Sequence, residues 1–214
     1  MTIERRMTLN PVTISPDASV VEASELMKKE KVHRLPVLDK DKKLVGVISE
    51  KDILYASPSP ASSLSIHEMA YLLSQLTVRK LMTKNPVTIN KDVPVEEAAR
   101  IMVDQDLSCL PVVEGDHLVG IVSKSDLFKI LIELFGARTK GVRVSFLVDD
   151  KPGLIADISR ELANADLDII SFGTFMGTDP TNRICTVKVA TADSDKVISL
   201  LKPHVKAILD VNNV

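Results

Sequence analysis

Val45-Gly46-Val47-Ile48-Ser49-Glu50-Lys51-Asp52 returns 74 residues later as Val119-Gly120-Ile121-Val122-Ser123-Lys124-Ser125-Asp126. Upstream, Asn10-Pro11-Val12-Thr13-Ile14 recurs unchanged as Asn85-Pro86-Val87-Thr88-Ile89 at an offset of 75, preceded by Met7-Thr8 and Met82-Thr83. Leu35-Pro36-Val37 comes back as Leu110-Pro111-Val112 at that same offset of 75. The one-residue difference falls where Asp39–Lys43 faces Glu114–Asp116, both polar turns in which a deletion costs little. Self-similarity on this scale means that one structural unit is used twice.

Each copy reads as β-α-β-β-α. Pro-Val-Thr-Ile is a β-rich run ended by a polar turn. Val20, Ala23, Leu26 and Met27 then mark one face of a helix, and Val95, Ala98, Ala99 and Met102 repeat it. Two β-branched strands flank the polar turn, 35–38 with 44–49 and 110–113 with 118–123. A last helix opens at Asp52 and at Asp126. One unit leaves an apolar sheet face uncovered, so the two copies are expected to pack on each other. Ala56 to Ser63 is a loop by composition, and Ile66–Leu76 a helix carrying Met69, Leu72, Leu73 and Leu76.

After Gly136, a natural helix end, a short polar linker leads to a new alternating strand over 142–148. The turn Asp149–Gly153 enters a helix with Leu154, Ile155, Ile158 and Leu162. Strands near 167–175 and 184–190, a helix near 194–202 and a strand near 207–211 complete β-α-β-β-α-β, the split-βαβ, ferredoxin-like order. The fold class is α+β. The expected domains are a repeat pair over 1–136, with copies at about 1–56 and 66–136, and a smaller domain over 142–214.

Composition narrows the function. The chain has 214 residues, 27 basic against 29 acidic, for a formal charge of −2. That balance speaks against a nucleic-acid coat or a polybasic membrane anchor. No apolar run reaches the ~20 residues of a membrane span, and Met1–Arg6 lacks the apolar stretch of a signal peptide. Cys109 and Cys185 are far apart, so the expectation is a reducing cytoplasm rather than a disulfide or zinc scaffold. His33, His67, His117 and His204 show no metal-ligand spacing, so no metal and no catalytic cofactor are expected. Neither a nucleophile–base pair nor a helix-turn-helix is legible, which disfavours an enzyme and a DNA-binding regulator.

With Arg34-Leu35-Pro36-Val37 and Cys109-Leu110-Pro111-Val112, each followed by Val-Gly-(Val/Ile)-(Ile/Val)-Ser-x-x-Asp, residues 1–136 resemble a CBS domain pair, or Bateman module. With Asp150-Lys151-Pro152-Gly153-Leu154 between its first strand and first helix, the C-terminal segment resembles an ACT domain. The combination looks like the acetoin-utilisation, AcuB-type regulatory proteins.

The resemblance implies composite clefts, each joining the start of one repeat to the Ser-x-x-Asp of the other. One would combine Asn85, Val87, Leu107 and Ser108 with Ser49, Asp52 and His33. The other would combine Asn10, Val12, Val32 and His33 with Ser123, Asp126 and Ser108. The implied ligand is an adenine nucleotide (AMP, ADP, ATP or a relative), its base between the apolar side chains and its ribose on the carboxylate. Ser-x-x-Asp at a helix start also fits a capping box, and both readings can hold at once. His33 and Arg34 align with Ser108 and Cys109, so the first copy brings a cation pair that the second lacks; the clefts are unequal, and the Asp52 cleft is expected to bind more tightly. In the ACT-like segment, Asp150, Gly153, Leu154 and Ile170 would hold a small ligand such as an amino acid. There Gly153 would let a carboxylate approach a helix N-terminus, or Pro152-Gly153 simply starts the helix. The expected protein is a non-catalytic homodimeric sensor with an unknown downstream protein partner. The alternatives are a dimerisation adaptor without a small-molecule ligand and an accessory regulator of acetoin utilisation.

Overall fold

The computed structural model describes residues 1–56 and 65–214, so the predicted loop lies, from residue 57 on, outside the described residues. The chain divides into two compact units, Met1–Leu127 and Phe128–Val214.

In the first unit the repeat offset becomes a pseudo-two-fold axis. Ile3 N–H donates to Val93 C=O and Val78 N–H to Ala18 C=O, both at 2.9 Å, and each pair maps onto the other when 75 is added or subtracted. The same relation links the bridges Thr2–Pro94 and Ser19–Thr77. Lys43 and His117, equivalent to each other after the deletion, bridge directly. The two copies therefore face one another, as an uncovered apolar sheet face requires.

Repeat one consists of β1 (Thr8–Leu9), α1 (Val20–Glu30), β2 (Arg34–Leu38), β3 (Leu44–Ser49) and α2 (Glu50–Ala56). After α3 (Ile66–Ser74) and α4 (Val78–Leu81), repeat two follows as β4 (Thr83–Lys84), β5 (Ile89–Asn90), α5 (Val95–Asp104), β6 (Cys109–Glu114), β7 (His117–Ser123) and α6 (Lys124–Leu134). Ser19 opens α1 with a capping box, its hydroxyl accepting from Glu22 N–H while the Glu22 carboxylate accepts from Ser19 N–H. The helix ends at Lys31 with φ 54°, and the equivalent Asp106 sits at φ 49°.

The first strand of each copy differs from the sequence expectation. Pro-Val-Thr-Ile is not one strand: Asn10 and Asn85 take left-handed φ of 46° and 47°, and the prolines that follow lack an N–H. This break separates the run from the two residues before the asparagine, and only the end of the run pairs. The piece before the break crosses to the other repeat, so that β1 pairs with β7 and β4 with β3, both antiparallel. The piece after it stays at home, with β5 parallel to β6 and Ile14 bridging Val37. The resulting sheets run β1-β7-β6-β5 and β2-β3-β4. Each repeat has its own core, built on Val20, Ala23, Met27, Leu35, Val37 and Ile48 in one and on Ile3, Ala98, Met102, Leu110, Val112 and Val122 in the other.

The closing helices begin at Glu50 and Lys124, two residues earlier than expected, because Ser49 and Ser123 cap them. In the second unit, β8 (Val142–Asp149), α7 (Leu154–Asn164), β9 (Ile169–Met176), β10 (Asn182–Val189), α8 (Ser194–Leu201) and β11 (Ala207–Asn213) form an antiparallel sheet ordered β11-β8-β10-β9. Val142, Val144, Phe146 and Val148 alternate onto its buried face, against Leu154, Ile158, Leu162, Val197 and Leu201 of the helices. Ile155, expected on the apolar face of α7, is exposed.

Candidate functional site

Strand exchange creates a site that neither repeat has alone. β4 lies on β3, so the left-handed turn at Asn85 delivers Pro86 and Val87 beside the end of β3 and the start of α2. There Ser49, Lys51 and Asp52 line a cavity of about 290 Å³ whose opposite wall is Asn85, Pro86, Val87, Leu107 and Ser108. Arg34, Val47, Thr83, Asp106, Cys109 and Pro111 complete it. Six of the seven residues expected in this cleft meet here: Asn85, Val87, Leu107, Ser108, Ser49 and Asp52.

His33, the seventh, is not among the lining residues. Its Nδ1 lies 2.8 Å from Glu50 Oε2 at the start of α2, which turns the imidazole toward that carboxylate. The neighbouring Arg34 lines the cavity instead. Lys51, the second cation at the wall, was not singled out from sequence, because its direction depends on where β4 lies. It also sits 5.4 Å from the Tyr55 ring centroid.

Ser49 and Asp52 form a reciprocal pair. Asp52 N–H donates to Ser49 Oγ at 3.2 Å, while Ser49 N–H and Oγ–H donate to Asp52 Oδ2 at 2.8 and 2.6 Å. This is the capping box, and it fixes the carboxylate at the cavity wall. Both bonds that the carboxylate accepts fall on Oδ2, and among the described residues Oδ1 is uncommitted. A carboxylate oxygen so placed accepts from vicinal hydroxyls. Val87 is 39% exposed although apolar, so its side chain has surface left for a ligand to cover. Burial raises the Cys109 thiol above its ordinary value, with Arg34 opposing, which keeps it a neutral wall residue.

The same exchange relates the elements that carry the residues expected in the second cleft. Asn10 N–H donates to Val119 C=O at 3.4 Å, and Ser123 and Asp126 repeat the reciprocal bonds at 3.0, 2.7 and 3.4 Å. Val12 and Val32 pack against the core of repeat one. At the position equivalent to Lys51 this side has Ser125, while Arg34 and Cys109, equivalent to each other, exchange places.

In the second unit, Asp150, Gly153 and Leu154 line a cavity of about 350 Å³ together with Lys151, Thr174 and Arg183. Gly153 caps α7 at φ 94°, and a Cβ there would meet no atom within 4 Å. Pro152 lies outside the helix, whose first residue is Leu154. Ile170 stands elsewhere, its Cγ2 against Gly136, and strand β9 contributes Thr174 to the cavity instead.

Asp150 is held by Arg183, Nε to Oδ1 2.6 Å, and the guanidinium lowers its pKa below the ordinary 3.8. A depressed folded pKa gives stability that is present above the unfolded value and lost as pH falls through the folded one. Carboxyl NMR titration should therefore place the Asp150 midpoint below 3.8, and Arg183→Gln should bring it back up. A midpoint unmoved by that substitution would mean the pair does not persist in solution.

Among the described residues, no helix is long and apolar enough to cross a membrane, and no group of three or more His, Cys, Asp or Glu is placed to hold a metal. A family model for the CBS domain matches residues 3–59 and 78–133. A CBS domain-containing protein of Dictyostelium discoideum is 33% identical over 133 residues, 62% of this chain and 92% of that protein. Among solved structures, CBSX2 of Arabidopsis thaliana in complex with AMP is 30% identical, covering 61% of this chain and 96% of that one, TM-score 0.51. The AcuB protein of Vibrio cholerae, named for acetoin utilization, is 28% identical over 64% of this chain and 95% of its own, TM-score 0.53. The CBS domain pair of protein MJ0100, in complex with 5′-methylthioadenosine and S-adenosyl-L-methionine, is 27% identical over 65% and 98%, TM-score 0.52. Two matched repeats spanning more than half of the sequence, folded face to face around exchanged strands, settle the family: the chain belongs to the CBS domain family, as a CBS domain pair followed by a second α+β unit.

Proposed function

We propose that this protein is a non-catalytic regulator whose repeat pair senses an adenine nucleotide in the Asp52 cleft. One observation carries the reading: Ser49 and Asp52 of repeat one line a single cavity with Asn85, Val87, Leu107 and Ser108 of repeat two. A ligand there touches both repeats, so its binding is coupled to their relative pose, and any switch is bounded by its differential affinity for the two poses. The AMP, methylthioadenosine and S-adenosylmethionine held by the related structures share an adenosyl group, which supports the same moiety here. The base lies against Val87 and Leu107, and the ribose hydroxyls bond to Asp52. Calorimetry with AMP, ADP, ATP and S-adenosylmethionine tests this; saturable binding of at least one below about millimolar is expected, and none at that level overturns it.

Arg34 and Lys51 give the cleft its preference for a charged 5′ substituent. Replacing both by Gln should weaken ATP by roughly tenfold or more while changing adenosine little, since charge-assisted bonds are the stronger ones. Equal losses for ATP and adenosine would show that the two cations shape the cavity rather than read phosphate. Asn10, Val12, Val32 and His33 with Ser123, Asp126 and Ser108 would form the second cleft, read as the weaker.

For the remainder of the chain we read residues 142–214 as an ACT domain of ferredoxin-like order and keep α6 whole with the repeat pair, as 1–136. The strand order β11-β8-β10-β9 and the Gly153 turn support that reading. An amino acid or similar ligand would occupy the cavity of Asp150, Gly153 and Leu154, with Ile170 available only from a second copy. A homodimer is favoured by the exposed Leu54, Tyr55, Tyr71 and Leu72 beside the repeat pair. A cytoplasmic role in the control of acetoin utilisation, through a protein partner, fits the AcuB likeness.

A further inference from the structure

Strand β10 carries a lysine where its pattern calls for solvent. Cys185, Val187 and Val189 face the helices, so Lys188 belongs to the opposite face of the sheet, yet it is only 2% exposed. Residues 135–137, at the end of α6, cover it. Its Nζ donates to Gly136 C=O at 3.0 Å. An ammonium carries three donors, and this is the one hydrogen bond it makes among the described residues. No carboxylate of the described residues lies within ion-pair distance of it. A buried charge without a counter-charge is costly unless the site is completed by something else.

Lys188 is among the residues that line a cavity of about 480 Å³ on this face of the sheet. Arg143 brings a second cation, itself 3.4 Å from Asp210. Ser145 and Thr186, whose hydroxyls lie 2.9 Å apart, form the floor, and Ser171 stands at its edge. The wall is aromatic, with Phe135 and Phe175 stacked at 6.2 Å. Charge, hydroxyls and an apolar wall converge in one concavity, as in small-ligand sites generally. The residues are distinct from those around Asp150 and Gly153 and from those of the Asp52 cleft.

We propose that this cavity binds a small organic monocarboxylate, with its carboxylate on Lys188 and Arg143, bonded by Ser145 or Thr186, and its apolar portion on Phe135 and Phe175. Two cations against one aromatic wall suit a single carboxylate with a hydrophobic tail better than a compact polyanion. Occupancy would complete the Lys188 ammonium and tie the α6 end to the sheet.

The test uses the full chain and isothermal titration with phenylacetate, isobutyrate and 2-oxoisovalerate, with inorganic phosphate at matched ionic strength as the control. At least one carboxylate should bind saturably and phosphate should not. Lys188→Met, close in shape and uncharged, should weaken that binding by roughly tenfold or more. Thr186→Val, which leaves the lysine in place, should weaken it less. Circular dichroism confirms that each variant is folded; if Lys188→Met is not, Arg143→Gln takes its place with the same expected loss. Absence of saturable binding by all three carboxylates, binding of phosphate alone, or full affinity in the folded cation variants would each overturn the proposal.

Discussion

Gly46→Ala is expected to destabilise the protein by about 1–3 kcal/mol, and Gly120→Ala by a similar amount, the range for overpacking a filled site. A Cβ on Gly46 would stand 2.5 Å from Met82 Sδ and 3.0 Å from Thr83 C=O. On Gly120 it would stand 2.4 Å from Met7 Sδ and 3.1 Å from Thr8 C=O. The thioether can swing aside, being flexible. The backbone oxygen cannot, since Thr83 is paired with Val47 and Thr8 with Ile121. The two glycines are thus the places where the exchanged strands press closest, and the in-register methionines, Met7 and Met82, are what they make room for. Chemical denaturation measures the cost. In a double-mutant cycle with Met82→Ala, the Gly46 substitution should cost less than in the wild-type background. A Gly46→Ala protein as stable as wild type, within about 0.5 kcal/mol, would mean that β4 does not sit on β3 in solution.

Asp52→Asn should weaken adenine-nucleotide binding by roughly ten- to a hundredfold, the worth of charge-assisted hydrogen bonds removed from a ribose. Asparagine keeps the size of the side chain and can still accept from Ser49 at the helix start, so the fold should tolerate it. Asp126→Asn leaves the Asp52 cleft intact and should affect only a second, weaker binding event. Two-site calorimetry separates them. If Asp126→Asn abolished the tighter site and Asp52→Asn did not, the assignment of the clefts would be reversed, and with it the role given to Arg34 and Lys51.

Much of this architecture was legible before any coordinates. The 75-residue offset carried the two-fold relation, because identical segments that each leave a face uncovered have few ways to satisfy one another. The composite cleft, by contrast, was reached through a family likeness. Two-residue strands such as β1 and β4 leave no periodic trace, and no pattern says which sheet they will join. Pro-Val-Thr-Ile was read as a strand since β-branched residues favour one. The Asn-Pro turn, with φ 46° and 47°, overrode that preference. At the site, Ser49 and Asp52 were readable because their spacing is local to one helix start. Lys51 and Thr83 were not, since their place at the wall follows from the crossing strand. His33 was expected beside the ligand, but Glu50, seventeen residues on, claims its ring. Lys188 carries no mark in the sequence that sets it apart from an exposed charge in a strand; its burial comes from the tertiary fold.

The most direct measurement is a cycle between protein and ligand: AMP and its 2′,3′-dideoxy analogue titrated into wild type and Asp52→Asn. If the carboxylate holds the ribose, removing the hydroxyls from the ligand or the charge from the protein should cost about the same, and doing both should cost little more than either. Additive losses, or a full hydroxyl effect in the asparagine variant, would place the ribose away from Asp52 and contradict the composite cleft as the nucleotide site.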